Sequence, residues 1–80
     1  MYQITDKDKT VLFRVGVLDS VRKLTMLKKE TIALLEAANI TIIDDLEMRA
    51  DDISCIADKI SVDEMLKLRA VCSFLFRGAA

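Results

Sequence analysis

Histidine, proline and tryptophan are absent from this chain, and glycine occurs only at Gly16 and Gly78. The missing histidine removes the usual general base, the commonest metal ligand and the near-neutral pH switch together. Catalysis would then need a Cys or Ser nucleophile beside a carboxylate or lysine, and no recognisable motif supplies one. No catalytic residue is assigned, and the chain is expected not to be an enzyme. Cys55 and Cys72 are the only cysteines. Two thiols without histidine cannot complete a familiar four-ligand zinc site, and no acidic run has EF-hand spacing with its central glycine. No metal, cofactor or small-molecule substrate is therefore expected, and the cysteines are read as reduced, buried thiols.

With so little to interrupt it, a chain that is 52% hydrophobic and 31% charged favours helices joined by short connections. Its 80 residues make one domain with room for one core. No apolar run approaches the ~18 residues needed to cross a bilayer. Asp6, Lys7, Asp8 and Lys9 stand where a signal peptide would be apolar. The expected setting is intracellular, cytoplasmic or nuclear, with no membrane contact.

Helical spacing and capping residues predict five helices and no strand. Thr5 caps a first helix running to about Lys23, carried by Val11, Leu12, Val15, Leu18 and Val21. Thr25 caps a second over about 26–38, with Leu27, Ile32, Leu35 and Ala38 on one side and Asn39 as its stop. Ile40 and Thr41 form a turn, and Ile42 to Arg49 make a short third helix. The β-branched run Ile40 to Ile43 could pass for a strand but has no evident partner strand. Asp51 caps a fourth helix over about 52–58. Ser61, with Glu64 three residues later, is a capping box that opens a fifth helix ending at Gly78. A turn followed by a capped helix thus occurs twice, at 24–38 and 56–76.

The net charge of −1 hides a polarised chain. Residues 1–29 hold seven bases against three acids, residues 30–66 two against ten, and residues 67–80 three against none. Most of this is dipole matching, with acids in first helical turns and bases in last ones. The acidic surface of Asp44, Asp45, Glu47, Asp51 and Asp52 offers itself to a basic partner as a nucleic-acid mimic. Lys28 and Lys29 break the pattern, because cations at a helix start oppose the dipole. They are read either as contacts to a bound anion or as solvated lysines beside Glu30.

Between residues 24 and 69, LTMLKKETIALLEAANIT, IIDDLEMRADDISCIADKIS and VDEMLKLR resemble the tandem helix-hairpin-helix domain. In that pattern a hairpin leads into a helix ending Ala-Gly-Ile, followed by Thr-x-x-Asp-Leu. Ala38, Asn39, Ile40, Thr41 and the run Asp44 to Leu46 carry the match. The resemblance implies an all-α, compact five-helix domain of helix-hairpin-helix type, SAM-like. Similar five-helix domains occur at the C-terminal end of the bacterial RNA polymerase α chain and at the N-terminal end of recombinases. Here the helix-hairpin-helix-like core would cover about 24–77 of a single domain spanning 1–80. It also implies a place in nucleic-acid handling. Met26 and Lys59 stand where hairpin glycines would let amides approach a phosphate. Only Lys28, Lys29 and Lys59 remain as nucleic-acid or anion contacts.

Both terminal helices carry more apolar residues than one buried face can take. At least one of Phe13, Phe74 and Phe76 should therefore point away from the core. Phe13, Val17, Phe74, Phe76 and Arg77 are the candidate protein interface, for self-association or for a partner. The leading expectation is a helical interaction module that dimerises or docks within a complex handling nucleic acid. The alternatives are sequence-independent phosphate-backbone binding and the acidic mimic.

Overall fold

Thr5 starts the first helix as its sequence position predicts. In a computed structural model, which describes residues 2–78, the Asp8 N–H donates to Thr5 Oγ1 at 3.1 Å and the Thr5 N–H to Asp8 Oδ2 at 3.2 Å. This reciprocal cap opens α1, Asp6–Leu12. The helix expected to reach Lys23 stops eleven residues earlier, because two sets of bonds compete with it. Asp19 accepts the Gly16 N–H at 2.7 Å and returns its own N–H to Gly16 O, closing a turn with residue types that are poor in helix interiors.

The freed segment then pairs with the β-branched run that had no evident partner. Asp44 donates to Val17 O, Ile43 to Asp19 O and Val21 to Thr41 O, with Ser20 and Ile42 forming an isolated antiparallel bridge. The strand preference of Ile40 to Ile43 is thus partly realised, on a stretch the periodicity had assigned to helix. A 3₁₀ turn, Val21–Lys23, follows.

Thr25 does not cap the second helix. Its N–H turns back to Lys23 O, and α2 covers Lys29–Ala37 with Lys28 as N-cap. Its end follows the prediction. Asn39 takes φ 65°, Asn39 N–H donates to Glu36 O and Ile40 N–H to Leu35 O, a complete Schellman stop. The short α3 is Asp45–Met48. Next, α4 covers Ala50–Ile56, placing Asp51 inside its first turn rather than at the cap, and runs into a 3₁₀ turn, Ala57–Lys59. Last comes α5, Val62–Arg77, capped by Ser61 and ended by Gly78 at φ 67°.

The chain is all-α, with five α-helices and no extended sheet among the described residues. Leu68 and Val71 of α5 share one buried cluster with Leu12 of α1, Leu35 of α2, Leu46 of α3 and Ile53 of α4, and Val21, Leu24 and Ile40 from the connections are wholly buried in it. Burying each such side chain contributes about 1.5–3 kcal/mol. The Cα radius of gyration of 11.4 Å is that of a folded single body of this length, for which scaling gives ~12 Å. No helix of the described residues is long and apolar enough to cross a membrane.

Candidate functional site

The start of α2 already holds an anion, and it is part of the chain. Glu64, in the first turn of α5, is 1% exposed. Its Oε1 accepts the Lys28 N–H at 2.7 Å and the Thr31 hydroxyl at 2.7 Å. Its Oε2 makes no hydrogen bond and faces Lys67 Nζ at 3.4 Å as an ion pair. Half of the expected capping box is present, since the Glu64 N–H donates to Ser61 Oγ at 3.3 Å. The returning half is not, because the carboxylate is drawn to α2 instead.

Lys67 extends the knot. Its Nζ lies 3.4 Å from Met26 O and 5.7 Å from the centre of the Tyr2 ring, and the Tyr2 hydroxyl donates to buried Asp8. Burial pushes the Glu64 carboxyl up, but the Lys28 N–H, the Thr31 hydroxyl and Lys67 outweigh it and hold it below its ordinary value. Asp8 follows the same logic: burial raises it, while the Tyr2 hydroxyl, the Thr5 groups and Lys67 bring it lower. The Lys28 N–H and the Glu64 carboxylate therefore fix the 24–28 segment to α5, and that amide is not left for a ligand.

The side chains of Lys28 and Lys29 remain exposed, and Lys29 lines a hollow of about 560 Å³ between the first 3₁₀ turn and α2. Arg22 spans that hollow to Glu36 with a two-pronged contact at 2.8 and 3.1 Å. Because Glu64 joins the starts of α2 and α5, Lys59, two residues before the Ser61 cap, stands at the same end as Lys28. Glu30, Asp58 and Asp63 are exposed at that end as well. The three lysines are thus brought together among acids rather than into a basic face.

The proposed interface residues divide between two sides of α5, because residues two apart on a helix point about 200° apart. Phe74 turns to Phe13, whose ring meets it edge-on at 5.4 Å and 63°. Phe13 is nevertheless 76% exposed, Val17 52% and Leu18 78%. Phe76 and Arg77 face the other way, into a groove of about 540 Å³ between α4 and α5 that also takes in Glu47. The groove had no sequence signal. It exists because Ala50, Ser54 and Ala57 give α4 a low wall there.

In the acidic segment, Asp45 is structural: it accepts the Thr41 and Ile42 N–H groups, and the Thr41 bond leads in lowering its pKa. Arg49 lies between Asp45 at 3.8 Å and Asp52 at 3.4 Å, neutralising part of the surface. Asp44 is half-buried, and Glu47 and Asp51 are exposed. The thiols are free but not both buried. Cys55 is exposed, because α4 lies on the surface with only Ile53 fully inside, while burial pushes Cys72 up to about 11. No protein-family model, no curated protein and no solved structure matches this chain.

Proposed function

We propose that this chain is a non-enzymatic helical interaction module of tandem helix-hairpin-helix descent, docking a protein partner within a complex that handles nucleic acid. The observation that carries the docking reading is the corner where α1 breaks. Phe13, Val17 and Leu18 lie within six residues of one another, are each more than half exposed, and Phe13 continues through its ring contact into Phe74. An aromatic kept out of water on one edge and open on the other is the kind of anchor that dominates protein interfaces. The descent is supported by recurrence: a 3₁₀ turn, a short connection and a longer helix appear at Val21–Lys23 with α2 and again at Ala57–Lys59 with α5.

A photo-crosslinking amino acid placed at position 13 in cells tests the reading, with Leu18→Asp on the same corner as a binding-deficient comparison. The expected result is one discrete crosslinked protein species, lost when Leu18→Asp is added to the chain that carries the crosslinker. A chain that crosslinks to nothing at position 13 would sink it. The second reading, phosphate-backbone binding, draws on Lys28, Lys29 and Lys59 standing at one end of the molecule. It requires nucleic-acid affinity that falls steeply with salt and vanishes in Lys28→Glu with Lys29→Glu. The intramolecular Glu64 and the surrounding acids weigh against it.

A further inference from the structure

The groove between α4 and α5 has one low wall and one basic edge, and we infer that it takes an acidic amphipathic α-helix from a protein partner. Its lining on α5 runs from Met65 to Arg77, a stretch that spans about 18 Å at the rise of a helix. Two neighbouring rows make up that side, each at multiples of four residues: Leu68, Cys72 and Phe76 on the inside, and Met65, Arg69 and Arg77 on the outside. The facing wall is Ala50, Ser54 and Ala57, one stripe of small side chains on α4 and its 3₁₀ extension. Leu68 and Ile53 lie beneath and are already buried in the core, so the accessible apolar surface is that of half-buried Met65, Cys72 and Phe76 and of the two wall alanines. The short wall matters because the side chains at a contact decide how near another helix axis can come, about 8–10 Å.

Charge selects the occupant. Arg69 and Arg77 are exposed, and among the described residues neither enters an ion pair, although five pairs form elsewhere. The one acid in the lining, Glu47, stands at the Arg77 end, where the charges of both reach Cys72. The lining therefore holds two bases against one acid, with the bases about 12 Å apart along one edge. Asp51 and Asp58 belong to α4 and its extension but not to the lining, so the carboxylates of an occupant belong on the α5 edge. The partner that fits is a helix of about three turns. Its apolar residues at i, i+4 and i+7 lie on Met65, Cys72 and Phe76, and its carboxylates, two turns apart, meet Arg69 and Arg77. A nucleic-acid backbone would meet the same arginines but offers no apolar stripe to the row beside them. This surface rests on the reading of the chain as an interaction module, but it uses the side of α5 away from Phe13 and Phe74, so each surface can fail alone.

A library of random peptides of about 16 residues, enough for three turns and both ends, is displayed on phage and selected on the full chain. The selection is repeated on Ser54→Trp, which fills the groove from an exposed position. The expected binders combine an apolar i, i+4, i+7 stripe with Asp or Glu and are not recovered on Ser54→Trp. Made as synthetic peptides, they bind roughly tenfold more weakly to Arg69→Glu with Arg77→Glu. They slow the alkylation of Cys72 but not of Cys55, and they bind Leu18→Asp as well as the unaltered chain. Circular dichroism of each variant checks that the helices persist. The proposal is overturned by a library that yields no binder, by binders that lack acids, or by binding that survives Ser54→Trp or the arginine reversals in folded protein. Binding lost in Leu18→Asp places the peptide on the other corner and overturns it too. So does a single-stranded oligonucleotide that displaces the peptide, or a dimer of the unaltered chain that Ser54→Trp dissociates.

Discussion

Replacing Glu64 by alanine tests whether the α2–α5 tie holds the start of α2 in place. The carboxylate accepts two hydrogen bonds of 2.7 Å, from the Lys28 N–H and the Thr31 hydroxyl, and it faces Lys67 at 3.4 Å. A hydrogen bond to a charged group contributes about 1.5–3 kcal/mol, and breaking a buried ion pair from one side costs about 3–5 kcal/mol. These overlap rather than add, so Glu64→Ala should cost about 3–5 kcal/mol. A domain of this size has ~4–12 kcal/mol in all, so the variant sits near the edge of folding. Glu64→Gln keeps its one oxygen as acceptor for Lys28 and Thr31 but turns its amide NH2, a donor, towards Lys67, and should cost about 1–2 kcal/mol.

Urea unfolding followed by circular dichroism measures both variants. A pH series adds an independent reading. Glu64 and Asp8 titrate lower in the folded chain than their ordinary values of 4.5 and 3.8. The stability they contribute is therefore present above those values and is lost as pH falls through the folded ones. Glu64→Gln has no proton to take up at that position, so its acid limb should be shallower than that of the unaltered chain. An alanine variant within ~1 kcal/mol of the unaltered protein would contradict the account. So would an acid limb that Glu64→Gln leaves unchanged.

Asn39 stops α2 at a positive φ of 65°, so Asn39→Ala should lose about 1 kcal/mol while Asn39→Gly loses nothing or gains slightly. The urea midpoint at constant slope reads this difference. The two thiols should label in sequence: a disulfide reagent at mildly alkaline pH modifies exposed Cys55 within the folded protein. Cys72, half-buried and pushed up to about 11 by burial, should label much more slowly in the folded protein. Mass spectrometry of partly labelled protein would contradict the burial of Cys72 if both sites filled together.

What the sequence determined by itself was everything governed by neighbours along the chain. The all-α class follows from composition and spacing. The caps at Thr5 and Ser61, and the stops at Asn39 and Gly78, follow from residue chemistry that acts over three or four positions. The surplus of apolar residues near Phe13 was legible too, since a helix has only one buried face. The end of α1 was not, because it depends on backbone groups of 17–21 finding those of 41–44, a pairing between segments some twenty residues apart. The same contact decided that the β-branched run would be extended and that Phe13, Val17 and Leu18 would lie on a corner.

Only the tertiary structure could decide the role of Glu64. As the third residue after Ser61 it has a local partner, but its carboxylate instead accepts the Lys28 N–H and the Thr31 hydroxyl across the α2–α5 interface. The cation-rich helix start was visible in Lys28 and Lys29, whereas the anion opposite them arrives from thirty-six residues away. The groove between α4 and α5 likewise exists only once the two helices lie side by side.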